Sequence, residues 1–486
     1  MNSSATVSRA PLTSANRCIE HPCLIRKSSL TALKQLFTAL LFVCSLLLAH
    51  SSHAQVPAWQ WAVQSNGSGH AEVINIAVDA NGNSYAVGFF TETAQFGATT
   101  LVSHGRSDLF VAKLSPTGQW DWAVGAGSLE SDRASGVAVD ATGQVFITGF
   151  FNGQLSLGQT ALTSRGDMDV FVAKLSPEGK WQWATAGGGT SIDRAYALTV
   201  SKTGEVLVAG QFAETATFGT STLTSRGSTD VFVASLTRAG VWQWATSAGG
   251  SSNDAARALA TTAAGEIYVT GYFSETGAFG SSTLTGRGMD DAFVGKLTSG
   301  GQWLWATAAT GTNTAYGKGL VADPAGGVFV TGSYSGNAVF GATQLSSGGS
   351  DDGFVARLTD SGQWQWVSVL ASDYLDNIAG IALDKMGKLY VAGTFSSTIR
   401  GAGFQLISRG HQDIFVGYLT PTGTWLGLVA AGGTAVDEVQ ALALAPSGEV
   451  CIGGAFSAAA TFGSISLQSA TADSQACVGR ATVPQP

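Results

Sequence analysis

Three sets of side chains in this chain have the type and spacing to do chemistry. The first is a carboxylate series, Asp132, Asp193, Asp254, Asp376 and Asp437, which recurs at multiples of 61 residues. Gathered round one axis, these acids would make a site for a cation or for a polar ligand such as a glycan. The competing reading has each Asp accept N–H bonds from its own loop. The second set is cationic: Arg165, Arg226, Arg287 and Arg409, with His104 and Gly348 at the equivalent places. Each stands four residues before a member of a further acidic series, Asp108, Asp169, Asp230, Asp291, Asp352 and Asp413. Ligand capture, salt bridging and loop packing are all open to it, whereas the acidic series itself reads as turn-fixing, as an Asp at a strand entrance does.

The third set breaks the repetition. His70 and Glu72, and later Asn313, Thr314, Tyr316 and Lys318, depart from the pattern of the other units. A catalytic or binding site that is singular on a repetitive scaffold would be built from such residues. They would have to face each other across a channel. The His residues hold different repeat positions, so no zinc-type spacing is visible. The Asp-x-Asp-x-Asp-Gly calcium loop, the Gly-x-Ser-x-Gly elbow, the phosphate loop and Cys-x-x-Cys are absent too. No metal and no cofactor is expected.

The elements that must position these residues come from the repeat. Trp-x-Trp pairs begin at positions 59, 120, 181, 242, 303 and 364, and Trp425 continues the series alone. A turn glycine keeps the same step from Gly82 to Gly448. In one unit, Gly136–Asp140 and Val145–Phe151 are apolar runs parted by a tight turn. A long loop leads to Asp169–Leu175, and Ser176-Pro177-Glu178-Gly179 turns the chain back into the Trp strand. Four strands per unit, seven units and no helical periodicity specify an all-β, seven-bladed β-propeller of four-stranded blades. The series opens on a Trp strand and closes on a third strand, so the ring is expected to close by the N-terminal strand pairing with the last blade. Loops between strands two and three, and between strand four and the next first strand, share one face; their length makes it the expected ligand face.

Residues 1–54 read as a secretory signal peptide with a long N-terminal extension. Arg26, Lys27 and Lys34 precede an apolar stretch, Leu36–Ala49, and Ser52-His53-Ala54 suits cleavage before Gln55. The stretch is shorter than the roughly 20 residues of a membrane span. Residues 55–486 are then a single propeller domain with no membrane span after cleavage. The whole chain carries a formal charge of -8, and most of its leader charge is basic, so the exported part is more acidic still. Such a domain does not suit nucleic acid. Cys451 and Cys477 are the cysteines outside the leader, and a disulfide between them or two buried thiols are both open.

The phrases Ile-Ala-Val-Asp-x-x-Gly-Asn at 76–83, Val-Thr-Gly-Tyr-Phe at 269–273 and Asp-x-Phe-Val-Ala-Lys-Leu at 169–175 resemble the bacterial SBBP β-propeller repeat family. The resemblance covers essentially the whole exported part and implies a secreted or surface-exposed bacterial propeller. The regular Trp-x-Trp pair and the slipped register of Ala470–Ala481 depart from that pattern. The expected function is a non-enzymatic binding or scaffold module, a monomer outside the cytoplasm, that engages a glycan or protein on its long-loop face. A channel-sited enzyme such as a polysaccharide lyase or hydrolase is the alternative.

Overall fold

The second strand of each unit shows why the sheets must stack. Val145–Phe151 is buried at all its positions, as are Ser84–Phe90 and Val206–Phe212. A strand with apolar residues on both faces needs cover on both. The computed structural model describes residues 58–401 and 403–483 and supplies that cover by packing sheet against sheet. The chain divides into two units, Met1–Gln55 and Val56–Pro486. The expected leader falls in the first, outside the described residues.

Among the described residues the second unit forms seven four-stranded antiparallel blades round a central channel, with the order first, second, third, fourth strand from the axis outward. In the second blade these are Arg133–Val139, Val145–Phe151, Asp169–Leu175 and Trp181–Gly189. Buried side chains gather in clusters that draw on two neighbouring blades each; Tyr85 and Val87 of the first blade share one with Val145 and Phe171 of the second.

Ring closure follows the expectation. Ala58–Gln64 pairs antiparallel with Gln475–Thr482, from Ala58 opposite Thr482 to Gln64 opposite Cys477, and becomes the fourth strand of the seventh blade. The slipped segment leaves that blade in register: Phe456 still faces Gln475, where other blades place an Asp. Gln475 bridges the closure instead, with Nε2 donating to the Gly69 carbonyl at 3.2 Å and Oε1 accepting from the Ser65 hydroxyl at 3.3 Å.

The long loop between second and third strands is more ordered than the sequence reading held. It contains a two-stranded hairpin, Gln154–Leu157 with Thr160–Thr163, whose two-residue turn begins at Gly158 with φ 63°. Four hairpins of this kind extend the sheet of the preceding blade. Thr217 and Ala216 pair with Gly188 and Gly189, the end of the previous fourth strand, and three other junctions repeat this.

The Trp pair belongs to these seams. The first Trp packs edge-on against the hairpin Phe of its own unit, as Trp242 does with Phe218 at 5.2 Å, and its indole N–H reaches back to the Ala186 carbonyl. The second Trp covers a turn of the following blade. Trp122 Nε1 donates to the Pro177 carbonyl at 3.1 Å, and a Cβ on Gly179 would lie 2.9 Å from its ring. Among the described residues the seventh blade has no turn from third to fourth strand, and the position that would cover it is Gly427, crowded by the Tyr418 ring.

Cys451 and Cys477 are free buried thiols, which corrects the possible disulfide. Their strands are neighbours, but Cys451 stands opposite Arg480 and Cys477 opposite Gly454. The offset of three residues sends the side chains to opposite faces of the sheet, into different clusters.

Candidate functional site

The repeated acids do not open onto a ligand. Asp132, Asp193, Asp254, Asp376 and Asp437 are fully buried, and each accepts backbone N–H bonds from the end of the preceding blade and from the residue that follows its own second strand. Asp193 is typical: Oδ2 takes the Gly189 N–H at 2.7 Å and Oδ1 the Ala213 N–H at 3.2 Å, tying the end of the preceding blade's fourth strand to the end of its own blade's second strand. Burial pushes the Asp193, Asp254, Asp376 and Asp437 carboxyls up to about 7 and Asp132 to about 6, against the pull of these N–H donors. The expected carboxylate ring at the channel mouth is therefore replaced by five loop anchors.

The arginine series is likewise engaged with the fold. Arg165, Arg226, Arg287 and Arg409 each donate their backbone N–H to the Asp four residues on. The guanidinium groups of Arg165, Arg226 and Arg409 reach the carbonyls of Gly188, Gly249 and Gly432 at 3.1–3.2 Å. Arg226 also touches the Ala278 carbonyl, and Arg409 the Thr461 hydroxyl, in the next unit's hairpin. These side chains fasten hairpins to neighbouring blades.

A singular site lies on the axis. Every first strand carries a bulge at the same repeat position, where one residue is left out of the ladder to the second strand: Ile74, Ser135, Tyr196, Arg257, Lys318, Ala379 and Gln440. A second-strand glycine permits it. A Cβ on Gly149 would lie 1.9 Å from the Arg133 carbonyl oxygen, and Gly88, Gly210, Gly271, Gly332, Gly393 and Gly454 are equally crowded. All seven bulge residues line one cavity of about 680 Å³. The scaffold thus repeats while the residues it aims at the axis do not. Two positions deeper comes an aliphatic ring, Val137, Leu198, Leu259, Leu320, Ile381 and Leu442, each 6–9% exposed.

The wall above this ring is electrically divided. On the second to fifth blades, cations alternate with aromatic rings. The Arg133 guanidinium lies 3.9 Å from the Phe89 centroid, and Arg194 5.2 Å from Phe150. Arg257 lies between Tyr196 at 4.1 Å and Tyr272 at 5.5 Å. Tyr272 meets Tyr316 edge-on at 5.3 Å, and the Tyr316 hydroxyl donates to Asp290 at 2.7 Å. Burial and the Asp290 carboxylate raise the Tyr316 phenol above its ordinary range. Lys318 stands beside Arg257. Burial pushes its ammonium down to about 8, with Arg257 adding to the effect and Asp351 and Glu438 opposing it.

The seventh and first blades bring acids and amides. Gln440 Nε2 donates to Glu72 at 2.8 Å and lies 3.4 Å from Glu438. His70 stands 3.7 Å from Glu72. Burial raises the Glu438 carboxyl and Glu72 adds to it, while His70 and Lys318 work the other way. Of the repeat-breaking residues, Tyr316 and Lys318 therefore share one wall and His70 and Glu72 stand on the opposite arc. Asn313 and Thr314 are turned to the Ser335 hydroxyl instead.

Sequence reasoning missed Arg133, Arg194, Tyr196, Arg257, Tyr272, Glu438 and Gln440. For Tyr196, Arg257 and Gln440 a signal was present, since the bulge position varies from Ile to Lys inside an otherwise apolar run. Among the described residues no group of three or more His, Cys, Asp or Glu is placed to hold a metal ion, and no helix is long and apolar enough to cross a membrane.

No protein-family model matches the chain. An uncharacterized WD repeat-containing protein of Acanthamoeba polyphaga mimivirus is 20% identical over 433 residues, covering 70% of this chain and 31% of its own length, so the chain spans under a third of that relative. Similar solved structures include the Pan2 WD40 domain of Neurospora crassa, at TM-score 0.46 and 11% identity over 90% of this chain and 98% of that one. An ulvan lyase, from a family of polysaccharide lyases, gives TM-score 0.46 and 12% identity over 81% and 93%. A Dyadobacter fermentans protein of unknown function gives 0.40 and 10% over 87% and 99%.

Proposed function

We propose that this chain is an exported, non-enzymatic binding propeller of the SBBP-repeat kind that receives a glycan or protein group at the channel mouth on its long-loop face. One observation carries the reading: seven equivalent bulges aim seven different side chains at a single cavity. A purely structural ring would have no use for that variety, since a residue serving the blade repeats with the blade. The cavity volume lies within the roughly 300–1,000 Å³ of small-ligand sites. The leader sequence supports export, and the acidic composition supports a partner other than nucleic acid.

The test is a thermal-shift screen of the exported chain against neutral, acidic and aminated oligosaccharides and against peptides, run beside Arg257→Ala and Tyr196→Ala. A ligand at 100 times its Kd adds about 2.7 kcal/mol to stability. A shift that the channel variants lose supports the reading, and a panel without any shift removes it. The enzyme reading keeps one specific support, the Lys318 amine at about 8 beside Arg257, which suits proton transfer near a bound anion. Substrate turnover that Lys318→Ala abolishes without loss of stability would establish it instead.

A further inference from the structure

We infer that the group received in the channel is an acidic saccharide, with Arg133, Arg257 and Lys318 taking its carboxylate or sulfate and the opposite arc taking its hydroxyls. The inference rests on the binding reading above and names its ligand class.

The first support is an imbalance of partners. Several cations withdrawn from water elsewhere are matched by acids: Lys296 lies between Glu266 and Asp360 at 2.8 and 2.7 Å, Arg357 meets Asp323 at 2.7 Å, and buried Arg480 lies 3.6 Å from Glu449. Burying a charge without such a partner is costly. Yet Arg133, Arg257 and Lys318, all half-buried and all lining one cavity, have no carboxylate within ion-pair distance among the described residues. Arg257 and Lys318 also repel each other on adjacent blades. An anion placed between them would relieve both strains.

The second support is preorganisation. Arg133 is stacked on Phe89, and Arg257 is held between Tyr196 and Tyr272. A guanidinium fixed flat on a ring keeps its edge ready for a two-toothed grip on a planar oxyanion, and little side-chain entropy is left to lose. Lys318 adds a point charge beside that fork.

The third support decides what carries the anion. Glu72, Gln440 and Glu438 stand on the first and seventh blades, away from Arg257 and Lys318 on the fourth and fifth and with Glu72 beside Arg133 of the second, and Asn75 and Ser135 line the same cavity. A bare anion would meet repulsion from the two glutamates. A sugar ring has hydroxyls to donate to those carboxylates while its acidic group faces the arginines. Uronates and sulfate esters share this chemistry.

The experiment is calorimetric titration of the exported chain with short oligosaccharides of equal length: uronate, sulfated, neutral and aminated. Each is run at low and high salt, on the wild type, on Arg257→Gln/Lys318→Gln, and on Lys318→Arg. The acidic sugars are expected to bind, to weaken with salt, and to lose about tenfold or more of their affinity in the double variant. Lys318→Arg should retain most of it. A preference between uronate and sulfate identifies the source of the oxyanion. Because the two cations repel in the empty site, the double variant should melt no lower than the wild type, which keeps loss of binding separate from loss of fold. Equal binding of the neutral sugar, preference for the aminated one, or acidic binding that the double variant keeps would overturn the acidic-saccharide assignment and leave the binding reading standing. If peptides bind at the channel and no sugar does, this inference alone falls. If nothing binds, both fall.

Discussion

Removing the N-terminal strand should loosen the whole ring. Ala58–Gln64 is the fourth strand of the seventh blade, yet no chain connection joins it there; sheet pairing, from Ala58 opposite Thr482 to Gln64 opposite Cys477, and side-chain contacts hold it. A chain starting at Ser65 loses Trp59, whose ring is 9% exposed and packs edge-on against Phe462 at 4.8 Å. It also loses Trp61, whose indole donates to the Pro116 carbonyl of the first blade at 3.0 Å. Deleting a buried aromatic side chain costs about 3–5 kcal/mol. The half-buried second indole with its hydrogen bond adds about 1–3 kcal/mol, so the loss is about 5 kcal/mol or more before the newly bare edge of Gln475–Thr482 is considered. At an unfolding entropy of about 2.1 cal/mol/K per residue, a propeller of this length should melt about 5 °C lower or more. Hydrogen exchange would place the effect: the amides of Gln475–Thr482 that face the lost strand should exchange at open-edge rates, while third strands of the other blades stay protected. Trp59→Ala should reproduce part of the loss, about 3–5 kcal/mol. A truncated chain with an unchanged melting temperature and a protected Gln475–Thr482 would refute the closure argument.

Further outcomes follow from other contacts. The Asp193, Asp254, Asp376 and Asp437 carboxyls hold their protons up to about pH 7 when folded, while an unfolded Asp loses its proton near 4. Unfolding between those values releases protons, so the contribution of these groups is largest at low pH and is lost as pH rises through 7. Urea midpoints should be higher at pH 5 than at pH 8, Asp193→Asn should flatten the difference, and the reverse order would contradict the assigned shifts. Gly149→Ala forces a Cβ to 1.9 Å from the Arg133 carbonyl oxygen and should cost about 2–3 kcal/mol in denaturant titration, with the channel wall displaced. A neutral result would mean the bulge does not need its glycine. Cys451 and Cys477 should resist thiol reagents until the chain unfolds, and reducing agent should leave the melting temperature unchanged; two thiols missing from the denatured, unreduced protein would show a disulfide.

The 61-residue step determined most of the architecture without any coordinates. With four short strands per unit and no helical pattern to supply cover, strands apolar on both faces must be buried by neighbouring sheets, and the order of strands along the chain left one N-terminal strand for the last blade to recruit. The turn chemistry of Ser176–Gly179 and the Trp register were equally legible, because both depend on local conformation and simple periodicity. The hairpin at Gln154–Thr163 was missed: its strands are four residues each, too short for their alternation to stand out inside a loop. The direction of side chains was beyond the sequence as well. Asp193 stands just before a first strand and Lys318 within one, and the sequence left both open as ligand groups. Tertiary structure turned Asp193 inward onto the Gly189 and Ala213 amides and turned Lys318 out to the axis, through a bulge that depends on the backbone of the neighbouring strand. A one-residue bulge reverses which face a side chain occupies, and only the paired strands fix where it falls. The sequence therefore determined the ring and its closure, while the packed blades decided which residues meet inside it.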